Sequence, residues 1–371
     1  MTIVNLEPID SDINWVYYSK NNHIGVIREI LNHVNLSGKF LFIIDSFGFK
    51  NLKGQPFSIY PDIFEHKKQA EENNLKFIII LDMIYEAPNY YDLQLLIDDV
   101  SQKLSIPTQD MIILSGALEQ DETKIKGVYT TKMLCQYDMF ERTHADLQPT
   151  HHYVSLVRMV RSHRIAATIE ILERDIEHLG KLSMGSGYCN KPDEHDYSFL
   201  PEKYLNKFPM FIDGLILGQE QYKGISPDIH GAFVNIVHET SFDESYSYMT
   251  FHNIIWHQPC ITEKSIKPMA WGQIPIFIAC KNHDSYMREF GFDLFDDIID
   301  HSYNQELDPE KRIILAINSL EKLCSKPIEY WQQFKAENIQ RFVKNRELSK
   351  IIMDQSTYTS ANNLQKVLDN F

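Results

Sequence analysis

Residues 39–44 read KFLFII and are followed by Asp45, and residues 76–81 read KFIIIL and are followed by Asp82. Both runs are short, apolar and β-branched, which is typical of strands buried on both faces of a parallel sheet. A third run of this kind, DMIIL, covers Asp110 to Leu114. Helix-like stretches lie between the runs: Ile24 to Val34, Pro61 to Asn73 and Tyr91 to Leu104. This alternation predicts βαβ units and an α/β fold.

The alternation restarts after a polar stretch near Glu141 to His152. The predicted strands are Tyr153 to Leu156, Ala232 to His238 and Ile274 to Ala279. The predicted helices are Arg164 to Leu179 with a stop at Gly180, Glu263 to Trp271 with a break at Gly272, Lys311 to Leu323, Ile328 to Val343, and the tail to Phe371. We therefore expect two Rossmann-like domains, with ligands bound in the crevice at the carboxyl ends of their strands.

The charge of the chain weighs against one class of partner. The 371 residues carry a formal net charge of -15, and residues 1–150 hold 13 Lys and Arg against 21 Asp and Glu, a net of -8. A protein that holds duplex DNA mainly through its phosphates needs a positive face. The acidic first half argues against strong nonspecific nucleic-acid binding.

Cysteines and apolar runs point to the compartment. The five cysteines are widely spaced and show no C-x-x-C pattern, which disfavours a disulfide framework and a structural zinc site. The N-terminus has no apolar core of signal length, and no apolar run approaches the about 20 residues of a membrane span. We expect a cytoplasmic protein without a membrane span.

The most informative segment for function is ITEKSIKPMAWGQIPIFIA, which follows the predicted strand FVNIVHET. Thr262 can cap a helix whose first turn holds Glu263 and Lys264, and Lys267 lies one turn further on the same side. A helix N-terminus suits a diphosphate, and a carboxylate in the same turn can accept the two hydroxyls of a ribose. An ordinary capped helix with solvated charges is the alternative interpretation.

This segment resembles the donor-site motif of the α-1,3-fucosyltransferase family and its bacterial and viral relatives. That family has a strand ending in E-N, then a V-T-E-K helix, a small residue, G and x-x-P-[IV]. YMREFGFDLFDDIIDHSYN (286–304) resembles its downstream pieces, and YVSLVRMVRSHRIAATIEIL (153–172) resembles its strand, basic turn and helix. The resemblance covers roughly residues 153–325. It departs from the family at His238-Glu239-Thr240, where the family has E-N, and at Val157 and Val160 in the basic turn.

The resemblance implies a GT-B fold, in which two Rossmann-like domains face a cleft, and a nucleoside-diphosphate sugar donor. Residues 1–150 would form the acceptor-side domain and residues 151–345 the nucleotide-sugar domain. Residues 346–371 would form a helical tail that packs back on the first domain. Glu263 would bind the ribose and Lys264 the diphosphate, with Glu239, Thr262 and Lys267 in the same site.

Three arginines of the basic turn, Arg158, Arg161 and Arg164, are candidates for a further phosphate contact, because a guanidinium can grip phosphate oxygens with two donors. Three arginines in seven residues are also typical of a solvated surface. Their place between a predicted strand and a predicted helix favours the phosphate interpretation.

A transferase of this type needs a group that deprotonates the acceptor hydroxyl. Asp45, Asp82 and Glu86 lie at or just after the ends of predicted strands in the first half, and we favour Asp45 because Ser46-Phe47-Gly48 suggests an open loop. An acid at such a position is also common as a turn or capping residue.

Metal and cofactor motifs are missing from the sequence. Asp10-Ser11-Asp12 spells D-x-D but has no preceding strand, and no histidine pair forms H-E-x-x-H. We expect a metal-independent enzyme without a cofactor, because a helix dipole and basic side chains can neutralise a leaving diphosphate.

The sequence thus predicts a hexosyl- or pentosyltransferase that moves a sugar from a nucleotide donor to a hydroxyl of a glycan or lipid-linked sugar, with inversion if the family relation holds. A viral-type enzyme that glycosylates a hydroxylated base in DNA is an alternative. A catalytically silent GT-B module that binds sugar and an epimerase on the same fold are further alternatives.

Overall fold

The computed structural model describes residues 15–18, 24–45, 60–83, 90–115, 129–132, 147–157, 161–185, 200–208, 227–240, 242–243, 246–248, 251–252 and 261–371. The chain divides into two compact units. Unit 1 comprises Met1–Gln136 with Asp354–Phe371, and unit 2 comprises Tyr137–Met353. Both units contain a parallel sheet, so the chain is a mixed α/β protein, as the alternation of strands and helices predicts.

Unit 1 is built on a five-stranded parallel sheet in the order β1-β2-β3-β4-β5. Its strands are β1 (Trp15–Tyr18), β2 (Lys39–Asp45), β3 (Lys76–Met83), β4 (Met111–Ser115) and β5 (Tyr129–Lys132). Its helices are α1 (Ile24–Leu31), α2 (Tyr60–Glu72), α3 (Tyr90–Leu104) and the 3-10 turn Thr108–Asp110. Successive residues 41–44, 78–81 and 111–114 are all buried, which confirms the predicted two-sided burial of these apolar runs.

The C-terminal residues also belong to unit 1. The backbone N–H of Asn35 donates to Gln365 Oε1 at 2.6 Å, and the rings of His33 and Tyr358 lie 4.5 Å apart. These contacts hold the end of the last helix against the α1–β2 connection.

Unit 2 has a four-stranded parallel sheet in the order β11-β8-β6-β7. Its strands are β6 (His151–Val157), β7 (Gly180–Met184), β8 (Ala232–His238), β11 (Ile274–Ile278) and the short antiparallel pair β9 (Ser247–Tyr248) and β10 (Phe251–His252). Its helices are α4 (Ser162–Glu173), α5 (Glu202–Leu205), α6 (Pro227–His230), α7 (Glu263–Ala270), α8 (His283–Glu289), α9 (Pro309–Cys324), α10 (Ile328–Glu337), and the 3-10 turns Glu177–Leu179 and His301–Gln305. Helix α11 (Ile339–Leu368) begins in unit 2 and ends in unit 1.

The predicted helix from Arg164 to Leu179 is wrong in its last six residues. Helix α4 ends at Glu173, and Gly180 opens strand β7 instead of stopping a helix. A Cβ atom on Gly180 would lie 2.5 Å from the ring of Tyr153 on the neighbouring strand. Glycine is needed here because the aromatic ring of β6 occupies the space that a side chain would fill.

The predicted helix from Ile328 to Val343 is also wrong, because it joins two helices. Helix α10 ends at Glu337, and α11 starts at Ile339 and runs to Leu368. Asn338 separates them with φ -111° and ψ 20°, outside the helical range. The predicted helical tail is confirmed.

Candidate functional site

The carboxyl ends of β6 and β8 bring the sequence-predicted site residues of unit 2 together. Because the strands are parallel and adjacent, the carboxyl end of β6 and the segment after β8 lie at one edge of the sheet. The first turn of α7 lies at the same edge, since Thr262 contacts Glu239 directly.

Glu239 connects the elements at this edge of the sheet through its hydrogen bonds, and its side chain is completely buried. Oε1 accepts hydrogen bonds from the Thr262 backbone N–H at 3.0 Å and from Ser265 Oγ at 2.6 Å. Oε2 accepts from the Thr262 hydroxyl at 2.8 Å and from the Thr240 backbone N–H at 3.0 Å. A carboxylate has about four acceptor sites. All of them are filled from within the chain, so the Glu239 carboxylate holds the start of α7 in place.

The backbone of the same residue holds the start of α4. The Glu239 carbonyl accepts from His163 Nε2 at 2.9 Å and from Arg164 Nη2 at 3.1 Å. Arg161 Nη1 donates to the Thr240 carbonyl at 2.5 Å. The start of α4 and the start of α7 are therefore both fixed to one residue, Glu239.

The first turn of α7 uses most of its own backbone donors. Thr262 is the N-cap, and its Oγ1 accepts from the Lys264 backbone N–H at 3.3 Å. The Ser265 backbone N–H donates to the Thr262 carbonyl at 3.1 Å, and the Thr262 N–H is bound to Glu239. An anion at this helix end would therefore be held mainly by side chains.

Lys264 offers the most accessible positive charge of this turn. Its side chain is 33% exposed, and Nζ donates to Thr262 Oγ1 at 3.1 Å and to Glu263 Oε1 at 2.9 Å. An ammonium group has three donors, so one remains for a ligand. Burial alone would lower the pKa of Lys264, but the negative charges of Glu263 and Glu239 outweigh it and raise that pKa, so Lys264 stays charged at neutral pH.

Glu263 lies between two lysines. Nζ of Lys267 is 3.8 Å from Glu263 Oε1, and the Glu263 side chain is 11% exposed. Burial alone would raise the pKa of Glu263, but Lys264 and Lys267 attract its charge and lower that pKa to about 2. Glu263 is thus an ionised, acceptor-only carboxylate at neutral pH.

Arg164 is buried among these groups. Burial and repulsion from Arg161 lower the pKa of Arg164 to about 9, whereas Glu239 and Glu263 oppose this shift. Its Nη2 also donates to the His238 carbonyl at 3.2 Å. Arg164 therefore contributes a positive charge behind the Thr262–Lys264 turn and braces the end of β8.

Two buried histidines, His283 and His238, also belong to this hydrogen-bond network, and the sequence analysis did not select them. Ser265 Oγ donates its only proton to Glu239, so His283 Nε2, 2.7 Å from Ser265 Oγ, must be the donor of that second bond. His238 Nε2 lies 2.8 Å from Ser155 Oγ. Burial and the charge of Arg164 lower the pKa of His238 to about 3, and burial lowers the pKa of His283. Both rings are neutral at physiological pH.

Ser265 and His283 lie 18 residues apart and form no motif. Only the T-x-x-S spacing after the N-cap could have pointed to Ser265, and nothing in the sequence pointed to His283. Arg158 and Glu86 fall outside the described residues, as do the side chains of Asp45 and Asp82, and Asp45 and Asp82 are register partners at the ends of β2 and β3.

Two further features concern metals and membranes. Within the described ranges, no group of three or more His, Cys, Asp or Glu side chains could hold a metal ion. None of the helices in the part of the chain that the structure describes has the length and apolar character to span a bilayer.

Comparisons with known proteins give a distant structural similarity. No protein-family model matches the chain, and no curated protein matches it significantly. A solved structure of trehalose-6-phosphate synthase, studied for enzymatic glycosyl transfer with retention, is similar at a TM-score of 0.32 and 11% identity. The similarity covers 86% of this chain and 78% of that chain. A likeness this distant defines neither the fold nor the function of this chain.

Proposed function

We propose that the chain is a glycosyltransferase with a GT-B-like arrangement, which binds a nucleoside-diphosphate sugar at the edge of the unit 2 sheet. One observation supports this best: Arg161, Arg164, Glu263 and Lys264 gather around Glu239 and Thr240 at the carboxyl ends of parallel strands. This edge is where open α/β sheets bind their ligands. The motif resemblance of residues 153–325 to the fucosyltransferase family favours the same location.

The described side chains suit different parts of such a donor. Lys264, with a donor to spare, would contact the diphosphate, and Arg161 from the neighbouring turn would add a second charge. Glu263, ionised and acceptor-only, would accept the two hydroxyls of the ribose. Lys267 would keep Glu263 in place, since its Nζ lies 3.8 Å from Oε1. These positive groups would stabilise the leaving diphosphate without a metal.

The acceptor hydroxyl must lose a proton as the new bond forms. We propose Asp45, Asp82 or Glu86 as the base, because Asp45 and Asp82 are register partners near the carboxyl ends of adjacent parallel strands. We place Asp45 first because the sequence Ser46-Phe47-Gly48 suggests an open loop. Single alanine variants at the three positions test this assignment. Loss of most turnover in one of them would identify the base, and near-normal turnover in all three would eliminate the idea.

The acceptor would be a glycan or a lipid-linked sugar, and the transfer of a hexose or pentose would proceed with inversion if the family relation holds. DNA is the less favoured acceptor, because residues 1–150 carry a net charge of -8. The same general base could deprotonate the hydroxyl group of either acceptor.

A donor panel tests the proposal. UDP- and GDP-sugars should raise the thermal midpoint of the protein, since a ligand that binds only the folded state stabilises it. One of them should then release its sugar to an acceptor mixture, also in the presence of EDTA. Binding without sugar release would favour a silent sugar-binding module, and isomerised free nucleotide sugar would favour an epimerase. A complete absence of nucleotide binding would contradict the proposal.

A further inference from the structure

Arg312 is a buried cation in the first turn of α9 whose hydrogen bonding is incomplete. Its side chain is 3% exposed, and Nη1 donates to the Glu306 carbonyl at 2.6 Å. Nε and Nη2 are buried and have no hydrogen-bond partner. The nearest carboxylate oxygen is Asp243 Oδ2, 3.7 Å from Nη2, which is too long for a hydrogen bond.

This arrangement costs stability in two ways. Buried donors without acceptors lose their hydration and gain nothing in return. A cation in the first turn also faces the positive end of the helix dipole. Burial lowers the pKa of Arg312, and the charge of Asp243 opposes the shift. Replacing a whole buried ion pair by apolar groups is often neutral or stabilising, whereas removal of one partner leaves the other uncompensated and destabilises the fold.

A chain of side-chain contacts connects Arg312 with the candidate site. Its guanidinium lies over the ring of Phe242, 4.8 Å from the centroid. The Phe242 ring in turn stacks on His163 at 4.9 Å and 15°, and His163 Nε2 bonds to the Glu239 carbonyl at 2.9 Å. Arg312 therefore touches two residues of the segment that follows β8, Phe242 and Asp243, and reaches Glu239 through one more side chain.

We propose that Arg312 is a positioning residue for the nucleotide-sugar site. It fixes Phe242 and Asp243, and through Phe242 and His163 it sets the place of Glu239, which holds both the basic turn and the start of α7. The inference rests on the proposed function for its ligand. The buried guanidinium lowers the stability of the fold, and in return it orders the segment after β8. Features that lower stability in this way are concentrated at functional sites.

The test compares Arg312→Met, which keeps the length and removes the charge, with Arg312→Lys, which keeps the charge. The first readout needs no ligand: hydrogen exchange of the backbone amides of Glu239 and Thr240. Arg312→Met should exchange faster there than the wild type, and the increase should be larger at these two amides than at those of β7, which does not pair with β8. The exchange rate of Arg312→Lys should lie between those of Arg312→Met and the wild type. Unchanged exchange in Arg312→Met would overturn the proposal.

The second readout is titration calorimetry with UDP and GDP. Arg312→Met should weaken binding by about tenfold, which corresponds to about 1.4 kcal/mol, with partial recovery in Arg312→Lys. Faster exchange with unchanged affinity would overturn the link between Arg312 and the site. If the wild type bound neither nucleotide, the proposed function would fail, and with it the assignment of Arg312 to a nucleotide site, whereas the exchange data would still decide whether Arg312 orders the segment after β8.

Discussion

Glu239 and Thr262 are joined by two hydrogen bonds that use both oxygens of one carboxylate. The Thr262 backbone N–H meets Oε1 at 3.0 Å, and the Thr262 hydroxyl meets Oε2 at 2.8 Å. The end of β8 and the N-cap of α7 are thereby locked together. Because the Glu239 carbonyl also binds His163 and Arg164, the two basic parts of the candidate site share one anchor.

Glu239→Gln should destabilise unit 2. The amide nitrogen would be a donor where the carboxylate offers an acceptor, so it would face either the Thr262 hydroxyl and the Thr240 N–H or the Ser265 hydroxyl and the Thr262 N–H. A buried donor left unsatisfied costs about 1–3 kcal/mol. Urea unfolding followed by tryptophan fluorescence measures the change.

The matched control for Glu239→Gln is Glu289→Gln, which makes the same chemical change at an exposed position of unit 2. The control should unfold at the wild-type urea concentration. Equal midpoints for Glu239→Gln and its control would show that the four hydrogen bonds do not hold this edge together.

Stability should fall as the pH drops below about 6.5, partly because of His238. Its pKa is about 3 in the folded chain and near 6.5 when unfolded. Between these values the unfolded state binds more protons, so the contribution is fully present above pH 6.5 and is lost as the pH falls toward 3. His238→Gln should flatten the dependence of the unfolding free energy on pH. An unchanged slope in this variant would assign the acid sensitivity to other groups.

Gly180→Ala should destabilise the β6–β7 pair, because the new Cβ would lie 2.5 Å from the Tyr153 ring. Overpacking of this kind costs about 1–3 kcal/mol. The added Tyr153→Leu substitution removes the ring and should make the alanine far less damaging. A double-mutant cycle by urea unfolding measures this coupling. Additive effects would contradict the steric explanation for the glycine.

The sequence predicted the fold where local patterns decide it. The strand Ala232–His238 was predicted to the residue, because an apolar β-branched run defines it. The helix stop assigned to Gly180 failed, because the demand for glycine comes from a tyrosine 27 positions earlier in the chain, on another strand. Thr262 was recognised as a cap by residue type, and the structure confirms the cap.

The buried hydrogen bonds of the candidate site could not be predicted from local sequence patterns. The bonds from Ser265 to Glu239 and His283 join residues 26 and 18 positions apart. Serine and histidine are common in loops and helix starts, so neither type signals a contact that only the folded sheet edge creates. The sequence indicated where positive charge gathers, but it did not show that Glu239 uses all its acceptors internally.

Titration calorimetry of UDP and GDP against wild type and Lys264→Ala tests the central claim most directly. The matched control is Lys322→Ala, which removes an exposed lysine of α9 in the same unit. We predict that the wild type and Lys322→Ala bind at least one diphosphate equally well, and that Lys264→Ala weakens it by about tenfold or more. Equal affinity of Lys264→Ala and wild type would contradict the account, because the first turn of α7 would then not hold the diphosphate.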